Sequence, residues 1–231
     1  MRIIAHRSGP TIYPEQTVKS AILAKENGAD MIEIDVRFTK DKKIAICHDE
    51  NAERIFGINK KIREITAEEF GKFSHKNDKE FTSHFFEDYV SNGIEPLLIH
   101  IKEDEVIDSL LEIIEKYEYL DKVVFGVQSV EIVKKLKKCN SLIKVLAFIP
   151  NLESMEEFGE TDVDYIRLWE SWLDIDNAKR VREYDKELWI MTNDGEVGVT
   201  TPENIEKILS FNVDAILIND ITLLTKFREA K

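Results

Sequence analysis

Two imidazoles, His6 and His48, and three carboxylates, Glu15, Glu33 and Asp35, fall within the first fifty residues, each at or near an apolar run of strand length. His6 and Arg7 close Arg2-Ile3-Ile4-Ala5, and Glu15 follows Pro14. Glu33 and Asp35 alternate within Met31-Ile32-Glu33-Ile34-Asp35-Val36, and His48 with Asp49 ends Ile44-Ala45-Ile46-Cys47. Acids and imidazoles on buried strands cost free energy unless they are paired or bound to a cation. Packing alone accounts poorly for so many in so short a stretch. They point to a catalytic site built around a metal.

Such residues need rigid elements to bring them together. Nine runs read as strands, at about 2–6, 31–37, 44–48, 97–101, 122–127, 143–149, 163–168, 187–192 and 214–218. Helical patterns fall between most of them. Pro14-Glu15-Gln16-Thr17 opens a helix that runs to Asn27-Gly28, where glycine supplies the stop. The stretch 103–117 carries an apolar stripe of Val106, Ile107, Leu110, Leu111, Ile113 and Ile114. Segments 129–138, 176–184 and 202–211 repeat the theme, the last with Thr201 as cap before Pro202. This alternation predicts a parallel sheet with right-handed crossovers.

A length of 231 residues suits an eight-stranded barrel, so nine strands is one too many. Between Val36 and Ile44 lie only seven residues, too few for a parallel crossover, so these two strands form an antiparallel hairpin. The hairpin places Asp35 opposite or nearly opposite His48, with Cβ atoms about 4.5–5.5 Å apart and Glu33 on the same face. A slip of one residue would break that arrangement. Residues 50–96 mix Phe70, Phe73, Phe81, Phe85 and Phe86 with charged side chains and predict a small excursion over the barrel mouth. His75 and His84 lie there and are expected in solvent.

The net charge of −13 and a pI near 5.0 exclude a nucleic-acid surface and stable anchoring to anionic membranes. Anionic small molecules stay open, provided the pocket is locally positive. No apolar run approaches the ~20 residues of a membrane span. Met1-Arg2 leads directly into a strand, which gives a cytoplasmic expectation. Cys47 and Cys139 make no disulfide framework. Strand alternation points Cys47 away from His48, as a buried core thiol and not a nucleophile.

The motifs His6-Arg7-Ser8-Gly9, Pro14-Glu15-Gln16-Thr17, Gly28-Ala29-Asp30-Met31-Ile32-Glu33-Ile34-Asp35-Val36, Thr39-Lys40-Asp41 and His48-Asp49 together resemble the glycerophosphodiester phosphodiesterase family. The resemblance is strong in order and spacing over residues 1–50. It implies an α/β fold, a TIM (β/α)8 barrel with a small insertion after the second strand, here one domain over 1–231 with the insertion at about 40–95. It also implies hydrolysis of glycerophosphodiesters to an alcohol and sn-glycerol 3-phosphate, with His6 and His48 as the acid–base pair. Glu33 and Asp35 are then metal ligands, and Arg7 and Lys102 clamp the phosphate. Glu15 is expected near the metal, as an anchor for Arg7, or simply as an acid at a helix N-terminus.

The chain departs from the family pattern at several positions. In Leu98-Ile99-His100-Ile101-Lys102 the family's third carboxylate ligand falls on His100. The resemblance implies Mg²⁺ or Ca²⁺, whereas an imidazole shifts preference toward Mn²⁺ or Zn²⁺. Other outcomes are no metal, or one held by Glu33 and Asp35 with waters. Ser8 replaces Gly, Gln16 replaces Asn, and Ile190-Met191-Thr192-Asn193 and Ile218-Asn219 replace W-T-V-N and T-D. Trp169, expected to bind substrate, and Trp172 follow a strand end and line either the mouth or the core. Two rival readings stand beside the hydrolase: a phospholipase D-type enzyme acting on lysolipid or sphingolipid, and a non-catalytic barrel that binds a phosphate ligand. The sequence leaves the oligomeric state open.

Overall fold

The computed structural model describes residues 1–229. Its strands are β1 (Arg2–Ala5), β2 (Met31–Phe38), β3 (Ile44–Ile46), β4 (Leu97–Ile101), β5 (Val123–Val127), β6 (Lys144–Phe148), β7 (Tyr165–Trp169), β8 (Glu187–Met191) and β9 (Ala215–Ile218). The helices are α1 (Val18–Glu26), α2 (Glu53–Phe56), α3 (Ala67–Phe70), α4 (Phe86–Ser91), α5 (Ile107–Lys116), α6 (Val130–Cys139), α7 (Met155–Gly159), α8 (Ile175–Glu183), α9 (Pro202–Ser210) and α10 (Thr222–Glu229). The strands run in the order β1-β9-β8-β7-β6-β5-β4-β2-β3, and a β1–β2 pairing closes the ring. Eight parallel strands thus make a TIM barrel, with β3 attached antiparallel to β2.

Strand alternation divides the core in two. Ile4, Met31, Leu98, Leu146, Trp189 and Leu217 are among the residues filling the barrel interior. Their neighbours Ile3, Ile32, Ile99, Val145, Ile190 and Ile216 pack outward with apolar helix residues such as Leu110, Val133 and Ile205. Both faces of each barrel strand are therefore buried, which explains the near-continuous apolar runs in the sequence.

The first helix begins later than its sequence suggested. Gln16 has φ +60°, so the helix starts at Val18, after Thr17 accepts a hydrogen bond from Ser20 N (3.1 Å). Glu15 therefore lies in a loop and is not a helix-terminal acid.

β2 is eight residues long and serves three neighbours. Its first residues pair with β1, its middle with β4, and its last with β3. The predicted hairpin is present, but its register pairs Val36 with Ile46, which sets Asp35 opposite Cys47 and not His48. Cys47 N donates to Asp35 O at 3.0 Å. β3 ends at Ile46, so His48 is placed by the chain beyond the strand. Cys47 packs with Ala45, Ala52, Phe56, Ile62, Ile65 and Phe70 in a separate small cluster beside the barrel mouth. Burial pushes its thiol up to about 12. His75 is also buried, edge-on to Phe56 and Phe81, contrary to the solvated position expected for it.

Candidate active site

In parallel barrels, residues at the C-terminal strand ends face the mouth. That end brings His6 and Arg7 after β1, Glu33 and Asp35 on β2, and His100 and Lys102 from β4. Just past β1 the backbone turns left-handed at Arg7 (φ +48°) and Ser8 (φ +68°). Non-glycine residues hold such angles at a cost of order 1–3 kcal/mol. The turn aims Arg7 N at Glu33 Oε2 (2.7 Å), and Ser8 Oγ bonds to the Tyr89 hydroxyl (2.9 Å).

His6 is 5% exposed, with Nδ1 at 2.7 Å from Asn219 Oδ1. Asn219 Nδ2 donates to Val197 O, so Oδ1 is the acceptor and His6 Nδ1 carries the proton. Nε2 keeps its lone pair. Burial, reinforced by the Arg7 charge, pulls the His6 pKa down to about 4, so the ring is neutral near pH 7. Gly198, at φ +86°, leaves room for this arrangement, since a methyl there would overlap the Asn219 side chain.

Glu33, Asp35 and His100 are all buried, and one potential ligand atom from each lies within 4.8 Å of the others. His100 Nδ1 is 3.0 Å from Asp35 Oδ1 and 3.9 Å from Glu33 Oε1, and Lys102 Nζ is 3.1 Å from Asp35 Oδ1. Gln16 Nε2 donates to the other Asp35 oxygen (2.6 Å). Burial next to Asp35 drives the Glu33 carboxyl well above its ordinary range. Burial would raise Asp35 too, but Lys102 and His100 hold it well below. Burial takes His100 down to about 4. Asp35 Oδ1 and His100 Nε2 are enclosed without a well-oriented hydrogen bond. Two carboxylates and an imidazole with unused acceptor capacity fit a divalent cation.

His48 reaches the mouth by a different route from the one its sequence position suggested. The Arg37 guanidinium donates twice to the His48 carbonyl (3.2 and 3.0 Å), fixing the backbone just past β3. Its Nδ1 lies 2.7 Å from Asp49 Oδ1, a carboxylate that can only accept, so Nε2 is free here as well. Burial lowers the His48 pKa, while Asp35 opposes that shift. Asp49 in turn pairs with Arg54, which makes two bonds to Glu15 (2.9 and 2.6 Å). Glu15 also pairs with Arg7 Nη1 (3.4 Å). Glu15 is therefore an anchor for two arginines and lies outside the Glu33–Asp35–His100 group. Arg54 and Arg7 hold its carboxyl below the usual range against the opposing effect of burial. The adjoining cleft gathers Arg37, Arg54, Lys76 and Lys102 beside Asp49, Glu50 and Glu53, a local balance far from the overall charge of −13.

Several contributors carried little or no sequence signal. Phe148 stacks on His100 with centroids 4.3 Å apart, and its ring fits only because position 126 is glycine. Gln16 and Asn219, which read as departures from a pattern, both bond to site residues. Trp169 is partly buried at the end of β7, T-shaped against Trp172. Arg167, inside the barrel, drew no notice in an otherwise apolar strand.

The fold and site thus define a (β/α)8 barrel with an acid–imidazole centre at its C-terminal mouth. Residues 6–223 match the glycerophosphoryl diester phosphodiesterase family, and the chain belongs to it. It is 28% identical over 158 residues to a human lysophospholipase D, covering 62% of this chain and 50% of that protein. It is 29% identical over 150 residues to a glycerophosphodiester phosphodiesterase of Caldanaerobacter subterraneus, covering 58% of this chain and 62% of that one. The matches thus take up about half to three fifths of these relatives' own length. Among solved structures, an Oleispira antarctica phosphodiesterase in complex with the product sn-glycerol-3-phosphate superposes with a TM-score of 0.86 at 18% identity, over 99% of this chain and 97% of that one. A Thermotoga maritima glycerophosphodiester phosphodiesterase gives 0.80 at 23%, over 97% of each. At these identities the likeness is one of fold.

Proposed function

We propose that this barrel hydrolyses glycerophosphodiesters to an alcohol and sn-glycerol 3-phosphate with the help of a divalent metal. One observation carries the reading. Two imidazoles, each with Nδ1 engaged and Nε2 free, stand at the mouth that also holds a buried Glu33–Asp35–His100 group. Family membership and the product named for the Oleispira antarctica relative support the choice of substrate.

Glu33, Asp35 and His100 would hold the metal, which when bound neutralises phosphate charge and acidifies a coordinated hydroxyl. The imidazole in that set favours Mn²⁺ or Zn²⁺ over the Mg²⁺ or Ca²⁺ expected of three oxygen ligands. Arg7 and Lys102 bind the phosphoryl oxygens, Arg7 braced by Glu15. His6, neutral and bonded to an uncharged amide, takes the nucleophile's proton at Nε2. His48 is paired at Nδ1 with Asp49, which favours the imidazolium against the downward pull of burial, and in that protonated form it would give its Nε2 proton to the departing alcohol. Trp169 lines the substrate side.

The test measures release of sn-glycerol 3-phosphate from glycerophosphocholine. His6→Ala and His48→Ala should each lower kcat by about 10²–10⁴-fold with KM little changed. Wild-type turnover in either variant rules out its assigned role. A lysophospholipase D activity, as named for the human relative, is the second reading. The exposed apolar side chains Ile12, Val197 and Val199 lie on loops at the mouth, where an acyl chain would need them. Cleavage of lysophosphatidylcholine in preference to glycerophosphocholine would decide for it.

A further inference from the structure

Arg167 lies on β7, four strands from β2 in either direction round the barrel, so it faces the Glu33–Asp35 edge from the opposite wall. It is 4% exposed, yet it forms no ion pair and no side-chain hydrogen bond among the described residues. Nε and Nη1 are fully enclosed and unpartnered. Glu170, three residues on, is committed elsewhere, to Asn193 N and Thr200 Oγ1 (both 3.1 Å). What surrounds the guanidinium is aromatic. Its Cζ lies 4.1 Å from the Trp169 ring centroid, 5.2 Å from Phe148 and 6.0 Å from Trp172.

Ring faces attract a cation but cannot accept its in-plane N–H groups. The aromatic wall therefore compensates part of the charge and leaves the donor fork unused. Burial alone pulls the Arg167 pKa down to about 9, which still leaves it charged at neutral pH. A buried unpaired charge is expensive, and natural sites that keep one generally use it on a ligand. The same Phe148 ring stacks on His100, so Arg167 and the candidate metal centre share a wall.

We propose that Arg167 is a subsite for a second anionic group on the ligand, distinct from the diester phosphate. This rests on the phosphodiesterase reading for the position of that phosphate. The second group is a carboxylate or phosphate, carried either on the alcohol or on the polyol half of the substrate. Cationic headgroups are disfavoured at the same wall.

Calorimetric titration tests both sources. In the alcohol arm, glycerophosphoserine is compared with glycerophosphocholine in a His6→Ala background, where turnover should be too slow to intrude on the titration. In the polyol arm, 3-phosphoglycerate is compared with glycerol 3-phosphate. At least one arm should show the added carboxylate binding about 10–100-fold more tightly. That preference should collapse in Arg167→Gln and survive in part in Arg167→Lys. Equal affinities in both arms for the unsubstituted wall, or a preference that Arg167→Gln retains, overturn the subsite. Should Arg167→Gln fail to fold, the preference with arginine in place and its reduction in Arg167→Lys decide the matter. Cleavage by His6→Ala at the wild-type rate would instead count against the catalytic reading, and the polyol arm would still measure the subsite.

Discussion

On the proposed metal assignment, His100 would decide which ion the Glu33–Asp35–His100 group prefers. Replacing it by glutamate would put a third buried carboxylate beside Glu33 and Asp35, where like charges repel in the absence of a cation. His100→Glu should therefore melt below the wild type in chelator, and Mg²⁺ or Ca²⁺ should raise its Tm more than they raise that of the wild type. Mn²⁺ or Zn²⁺ should stabilise the wild type more than Mg²⁺ does. Equal responses of both proteins to every ion would contradict this view of His100. The sequence identified the position through the family resemblance, in which a third carboxylate stands two residues before the lysine at Lys102. It gave no hint of Phe148, because a phenylalanine ending an apolar strand looks like any core residue. Nor could it show that Gln16 and Asn219 bond to the site; each was visible only as a mismatch.

The strands explain which placements were legible. Periodicity located all nine, and the short 36–44 connection forced the hairpin. The register was one residue out because the turn at Thr39–Lys43, with Lys42 at φ +62°, fixes the pairing, and turn type is not written in the apolar pattern. His48 reaches the mouth all the same, held by Arg37 instead of by the pleat. His75 was misplaced because a mixed polar and aromatic segment hides a small core of its own, against which Phe56 and Phe81 pack that ring. A tighter dependence joins β4, β5 and β6. Gly126 on β5 stands beside His100 and makes room for Phe148. Gly126→Ala should cost about 1–3 kcal/mol in urea denaturation by overpacking, and weaken metal-induced stabilisation by tilting the ring that supports His100. A variant as stable and as metal-responsive as the wild type would remove Phe148 from the supporting role.

For the protein as a whole, buried titratable groups set an acid limit. His6 and His100 are neutral when folded, with pKa values of about 4, but take up protons near 6.5 when unfolded. Between those values the unfolded chain binds more protons, so their contribution is intact above pH 6.5 and is lost as pH falls toward 4. Glu33, pushed upward by burial and Asp35, works in the opposite sense, while His48 and His75, also lowered by burial, add to the decline. In chelator, Tm should decline from pH 6.5 to 4.5, before most carboxylates titrate. A flat Tm across that interval would show that the imidazoles are not held neutral. Added metal should raise Tm and flatten the decline, because cation and proton compete for the same atoms.

The hydrogen bond between His6 and Asn219 spans 213 residues of chain. All of the candidate metal ligands are present once residue 100 has been made, whereas the group that orients His6 arrives with the last strand. During synthesis, a nascent chain would acquire the candidate metal ligands early and the proposed base, His6, in its oriented form only at barrel closure. On the proposed function, turnover would thus be a late event in biogenesis, and cleavage activity would report that β1 and β9 have met.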